Sequence, residues 1–192
     1  SYFFFDDRID PITQAELYHS ILVKGGDAGE LPIVVDIERT NFWNGNRGTY
    51  DYPKYWRIFL ETMMSYFPEK QFIVYTNYYY WTERTQVPQH LSAQEKRWFA
   101  DKTKLWVAAY GSFPAEQLLI PKPWDKALVW QYTANGDGTA YGVESKSVDL
   151  NYFLGSDLEW NDFIGRNNDG GGETPEEIVL DINAEVVTVG DW

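Results

Sequence analysis

The chain has 192 residues, enough for one domain with an appendage, and its 44% apolar content can fill a sizeable core. A net charge of −13 argues against a nucleic-acid partner, which needs a basic face, and against docking on an anionic membrane. There is no cysteine, so disulfides and thiolate chemistry are excluded, and two histidines, His19 and His90, in different contexts argue against a zinc site or a histidine-based triad.

Tyr2 to Asp6 reads as a strand. Thr13 to Lys24 has helical spacing, with Ala15, Leu17, Tyr18, Ile21 and Leu22 on one side and Gly25-Gly26 as the stop. Leu31-Pro32-Ile33-Val34-Val35-Asp36-Ile37-Glu38 is a buried strand tipped by two acids, with β-branched residues in its middle and a proline where a strand can begin. Asp51 to Phe67 reads as a helix, with Asp51 as cap, Pro53 in the first turn and Pro68 past its end. Gln71 to Thr76, Leu105 to Tyr110 and Ala127 to Thr133 are further strands. Asn135-Gly136-Asp137-Gly138 turns into a hairpin-like region ending in Val148 to Phe153, and Ser156 caps a short helix to Ile164. Strand–helix repetition predicts an α/β fold with parallel strands, and the later strands lack clear helices between them. No apolar run is long enough to span a membrane.

Residues 1–164 read as the main domain, 165–175 as a glycine-rich linker and 176–192 as a β-type tail or the start of a further module. A domain seldom starts with an uncapped core strand, so a portion ahead of Ser1 is expected.

Side chains alternate along a strand, so Asp36 and Glu38 project the same way, roughly 6.6 Å apart along the chain. Their mutual repulsion keeps one of them protonated near neutral pH, as an acid-catalysed glycosidase requires. For an isolated Asp-x-Glu a wet loop after the strand is the better explanation, and a metal site is a further alternative. The other strand ends add to the pair: Tyr75 and Asn77 share a face, as do Trp106, Ala108 and Tyr110, then Gln131, then Asp149 and Asn151. In parallel α/β barrels the active site lies at the C-terminal ends of the strands. An aromatic content of 18%, with 9 Trp and 14 Tyr, suits carbohydrate or peptide stacking.

Five motifs in order resemble glycoside hydrolase family 25, the lysozyme-type muramidases of bacteria and their phages. They are Leu-Pro-Ile-Val-Val-Asp-Ile-Glu (31–38), Phe-Ile-Val-Tyr-Thr-Asn (72–77), Leu-Trp-Val-Ala-Ala-Tyr-Gly (105–111), Trp-Gln-Tyr-Thr (130–133) and Val-Asp-Leu-Asn-Tyr-Phe (148–153). Tyr2-Phe3-Phe4-Phe5, Asp10-Pro11 and Gln14-Ala15-Glu16 resemble the family's third strand and following helix. The resemblance covers about residues 1–164. It implies a modified, incomplete TIM-like β/α barrel with irregular later strands. It also implies cleavage of the β-1,4 bond between N-acetylmuramic acid and N-acetylglucosamine in bacterial peptidoglycan, with net retention assisted by the substrate's 2-acetamido group. No cofactor is implied, and the protein would be secreted, or delivered by a phage, to the bacterial cell wall.

The resemblance assigns Glu38 as general acid and later base, Asp36 as the group that orients or polarises the acetamido, and Asp149 as the acid completing the cluster. Tyr75 and Gln131 would hydrogen-bond the sugar or the acids. Tyr2, Trp106 and Tyr110 would line the groove, with barrel core as the competing role for Tyr2 and Trp106. Asp149 could instead stabilise its hairpin. Trp43, in the insertion 39–50, is a candidate for sugar stacking or a loop anchor, and Tyr78-Tyr79-Tyr80-Trp81 has the same duality.

Family members usually open with a strand carrying a further aspartate and then a second strand with its helix. This chain has no such segment, so about two of eight strands and one acid are expected to be absent. A truncated chain, a second chain, or the tail 176–192 filling the gap would account for this. The alternative to an enzyme is a non-catalytic wall-binding or fragment form of the same fold. A chitinase-like hydrolase would need another aspartate at position 34, where this chain has Val34.

Overall fold

The computed structural model describes residues 2–26, 28–38, 52–84 and 91–166. The expected cap Asp51, the loop carrying Trp43, His90, most of the linker and the tail 176–192 lie outside the described residues.

Six strands form one sheet in chain order: β1 (Tyr2–Phe4), β2 (Ile33–Asp36), β3 (Phe72–Asn77), β4 (Lys104–Ala108), β5 (Val129–Asp137) and β6 (Ser147–Phe153). β1 to β5 run parallel, and β6 returns antiparallel to β5. The sheet curls into an incomplete barrel, with β1 and β6 as its edges among the described residues. Helices α1 (Pro11–Lys24), α2 (Tyr52–Tyr66) and α3 (Ala93–Lys102) make the first three crossovers, and α4 (Asp157–Phe163) follows β6.

Period-two alternation sends Ile33, Val35, Ile37, Phe72, Val74, Leu105, Val107 and Trp130 to the outer core. There they meet Trp56, Phe59, Leu60 and Met63, spaced along one stripe of α2. Each such fully buried side chain contributes roughly 1.5–3 kcal/mol. Phe3 joins this layer, with ring centroids 5.0 Å from Tyr18 and 5.2 Å from Phe59.

The buried face of α1 is Pro11, Gln14, Ala15, Tyr18 and Leu22. Leu17 and Ile21, expected on it, are instead 46% and 48% exposed. Gln14 is buried because its amide satisfies the β1–α1 loop: it accepts from Asp6 N at 2.8 Å and donates to the carbonyls of Asp6 and Ile9. The expectation that later strands lack helices fails between β3 and β4, where α3 lies. Only Phe99 of α3 is buried, so its apolar periodicity is faint. A capping box starts it, with Ser92 N donating to Glu95 Oε2 at 2.9 Å and Glu95 N donating to Ser92 Oγ at 3.3 Å. No α-helix separates β4, β5 and β6, as expected.

The inner face has its own small core of Val34, Ile73, Trp106, Leu128 and Val129, covered by Trp160 and Phe163 of α4. The predicted Ser156 cap holds α4, again as a capping box with Glu159. Gln71, just before β3, donates to Asp162 of α4. α4 therefore closes the inner face near the strand N-terminal ends and leaves the C-terminal ends open.

β5 and β6 carry register shifts between Gln131 and Thr133 and between Thr133 and Gly136. Beyond them Gly138 starts the connecting turn, and a Cβ added there would sit 1.9 Å from the Ser145 carbonyl oxygen. Backbone cannot yield that much cheaply. Gly138→Ala is expected to destabilise the protein by about 1–3 kcal/mol, read as a lower urea midpoint.

Candidate active site

Strand register places the inward side chains in two tiers. The lower tier aligns Phe4, Asp36, Tyr75, Trp106, Val129 and Phe153 across the six strands. The upper tier aligns Asn77, Ala108, Gln131 and Asn151. The chain continues past β2 with Ile37, whose N–H donates to the Tyr75 carbonyl at 2.9 Å, and then Glu38. The sequence-predicted strand-end residues thus meet at one open end of the sheet.

Asp36 is 7% exposed, and its Oδ1 makes no hydrogen bond among the described residues. Burial, then the charge of Glu38, pushes its carboxyl up to about 8. Repulsion between the two acids was expected from sequence. The structure adds burial as the larger cause and assigns the raised affinity to Asp36, while Glu38 is exposed. Asp149 lies on β6 and is also exposed. Partial desolvation pushes its carboxyl up, and a hydrogen bond from the Gln131 side chain opposes that shift.

Tyr75 and Tyr110 both donate their hydroxyls to Gln131 Oε1, each at 2.8 Å. Burial raises the Tyr75 phenol well above its ordinary value, and Tyr110, Glu38 and Asp36 add to the rise. Tyr110 is 58% exposed and also raised, by desolvation first, with Asp149, Glu38 and Asp36 adding and its contact with Tyr75 opposing. Tyr2, at the β1 edge, is raised by desolvation and then by Asp36, Asp149 and Glu38 in that order. All three acids therefore act on one phenol.

Trp106 is buried within the inner core, its ring edge-on to Tyr75 at 5.5 Å. Its Nε1 donates to Asn151 Oδ1 at 2.9 Å. Asn151 was not among the site residues proposed from sequence, although sharing a face with Asp149 was a signal for it. Asn77 caps the turn after β3, accepting from the N–H groups of Tyr79 and Tyr80 and donating to the Ala108 carbonyl. Trp81 is core, stacked on Trp56 at 5.3 Å, and Tyr79 is exposed.

A separate groove of about 670 Å³ lies on the opposite face of the β5–β6 hairpin, against Phe113, Trp130, Tyr132 and Tyr152. It contains none of the three acids. Among the described residues no group of three or more His, Asp or Glu side chains could hold a metal ion, and no helix is long and apolar enough to cross a membrane.

Residues 1–140 match the family model "Glycosyl hydrolases family 25". The chain belongs to glycosyl hydrolase family 25. A family 25 glycosyl hydrolase from Bacillus anthracis is similar in fold, with a TM-score of 0.57, 21% identity, and coverage of 84% of this chain and 66% of that one. The Clostridium perfringens spore cortex lytic enzyme SleM gives a TM-score of 0.58, 22% identity, and coverage of 78% of this chain and 46% of that one. The modular autolysin LytC from Streptococcus pneumoniae, in complex with a synthetic peptidoglycan ligand, gives a TM-score of 0.52, 17% identity, and coverage of 78% and 32%. At these identities the likeness is one of fold, and this chain spans less than two thirds of each structure. No curated protein matches the chain. The family 25 match takes in β1 to β5, and Asp149 on β6 lies past its end.

Proposed function

We propose that this face belongs to a peptidoglycan hydrolase of the bacterial cell wall. It cleaves the β-1,4 bond from N-acetylmuramic acid to N-acetylglucosamine with retention, using the substrate's 2-acetamido group as nucleophile. The single observation that carries the mechanism is Asp36: a buried carboxyl on the face of Glu38, with an oxygen that makes no hydrogen bond among the described residues. The names of SleM, a spore cortex lytic enzyme, and of LytC with its peptidoglycan ligand support the substrate class.

Asp36 and Glu38 titrate as a pair and share a proton near neutrality. In the free protein the buried Asp36 holds it. A bound sugar's acetamide N–H donates to the bare Asp36 oxygen, favours the carboxylate there, and transfers the shared proton to Glu38. Glu38 then protonates the glycosidic oxygen as the acetamide oxygen attacks the anomeric carbon. The C–O bond to the leaving sugar breaks, and Asp36 stabilises the cationic oxazoline that forms. Glu38, now a carboxylate, takes a proton from the water that opens this ring, restoring the original anomeric configuration. Tyr110 stands at the exposed rim where a sugar would pass, Tyr2 lies on the open β1 edge one inward step below Asp36, and Trp106 lies beside Tyr75 in the lower tier.

The test is release of soluble muropeptides from purified peptidoglycan, read by mass spectrometry. Products with reducing-end N-acetylmuramic acid are expected. No release from folded protein would overturn the enzymatic reading in favour of a wall-binding form of the fold.

A further inference from the structure

We propose that the outer face of the β5–β6 hairpin is a second, non-catalytic binding surface for a neutral β-1,4-linked amino-sugar glycan, seated in the aromatic groove of Phe113, Trp130 and Tyr152. The sugar class rests on the reading of the acid face as that of a wall hydrolase, which this surface would hold to its polymer.

The groove has a volume of about 670 Å³, and none of the ten described residues that line it is charged. Sites for small ligands span roughly 300–1,000 Å³. Its floor is a run of rings. Phe113 stacks on Trp130 with centroids 5.1 Å apart, Trp130 meets Tyr152 at 5.6 Å, and Tyr152 stacks on Tyr132 at 4.4 Å. Trp130 and Tyr152 are cross-strand partners, and they alternate with Gln131 and Asn151 of the inward face. The groove and the acid face are therefore back to back across one layer of sheet.

Specific contacts hold the groove wall in place. Trp130 Nε1 donates to the Ala109 carbonyl at 2.8 Å, which pins the indole. Gly111 has φ +150°, and a Cβ there would meet the Phe113 ring at 2.9 Å, so glycine is what lets Phe113 fold back over Trp130. Ring faces set before binding reduce the ordering cost to a ligand.

The lining selects the occupant. The chain carries 29 Asp and Glu against 16 Lys and Arg, yet the groove lining has none of them, so it offers no ion pair to a charged peptide or an anionic polymer. A pyranose ring has an apolar C–H face edged by hydroxyls. The ring floor suits the first, and the Ser112 hydroxyl and the phenol of Tyr152, a residue 47% exposed, suit the second. Gly111 of the groove directly follows Tyr110, whose hydroxyl lies on Gln131, so the two surfaces share the rim after β4. Two sites for one polymer retain the protein on it more strongly than either does alone.

The experiment uses the full chain as Glu38→Gln, so that no polymer is cut. It is titrated with chitohexaose, a soluble neutral β-1,4-linked N-acetylglucosamine hexamer, and followed by amide NMR. The signals of Gly111, Ser112 and Ala115 are expected to move. Ser112→Asp puts a charge in the groove without removing a ring, and Tyr152→Ala removes one ring. Each is expected to raise the Kd for this response by about three- to tenfold, with less protein co-sedimenting with purified peptidoglycan. Movement confined to Asn77 and Ala108 on the acid face, or an unchanged Kd in whichever variant retains the fold, would overturn the proposal. So would tighter binding at the same signals by a proline decamer, the other neutral ligand that aromatic grooves take, or a dimer in sedimentation that Tyr152→Ala dissolves. The titration needs no turnover. Groove binding by a protein whose wild-type form releases no muropeptides would sustain this surface while the hydrolase reading fails, and release without a groove response would do the reverse.

Discussion

Asp36→Asn is expected to give a protein that is more stable than wild type above neutral pH and inactive. The folded carboxyl titrates at about 8 against an ordinary value of 3.8. Below about pH 4 the folded and unfolded chains both hold the proton, and the full stability is present. Between pH 4 and 8 only the folded chain holds it, so each pH unit gained removes about 1.4 kcal/mol. The loss is on the order of 4 kcal/mol at pH 7 and is complete once pH exceeds the folded value. Asparagine keeps the shape without the titration, so its urea midpoint should stay flat from this cause while that of wild type falls from pH 5 to 8. A variant no more stable than wild type at pH 8 would show that burial of this carboxyl is not costly. The gain in stability with loss of function is the trade expected of a group held in an unfavourable state for its chemistry.

Glu38→Gln is expected to behave in the opposite way. Glu38 is exposed, so its neutral isostere should leave the melting temperature nearly unchanged. Muropeptide release should fall by about 10²–10⁴-fold, the usual contribution of a positioned general acid and base. Initial rates on purified peptidoglycan, with melts on the same samples, check both halves. Release near the wild-type rate would assign the acid role elsewhere. Combining the two substitutions should cost little more activity than either alone, since the pair acts through one shared proton.

Much of the site could be read from alternation. Asp36 with Glu38, Trp106 with Tyr110, and Asp149 with Asn151 fall on shared faces because a strand has a period of two, and the register aligns those faces. Which acid takes the proton could not be read, because it depends on burial by neighbouring strands. The meeting of two hydroxyls on the Gln131 oxygen joins residues 56 and 21 positions apart in the chain, and no local pattern encodes it. Helix α3 was missed because Ala93 to Lys102 buries a single side chain, although Ser92 and Glu95 spelled its start. Leu17 and Ile21 misled in the other direction: apolar spacing marked them as core, while Gln14 took a buried place through hydrogen bonds that spacing cannot show.

The register shifts of the β5–β6 hairpin set what length changes this protein can accept. Between residues 131 and 136 β5 carries its extra residues at fixed points, while Asp149 keeps the face of Asn151 through the alternation of β6 itself. One residue inserted or deleted there would swap the inward and outward sets of β5 beyond the change. Insertions at the hairpin tip, past Gly138 and its close contact with Ser145, would leave that parity untouched. Relatives of this chain are therefore expected to vary in length at the tip and to keep the count of residues from Gln131 to Gly136 constant.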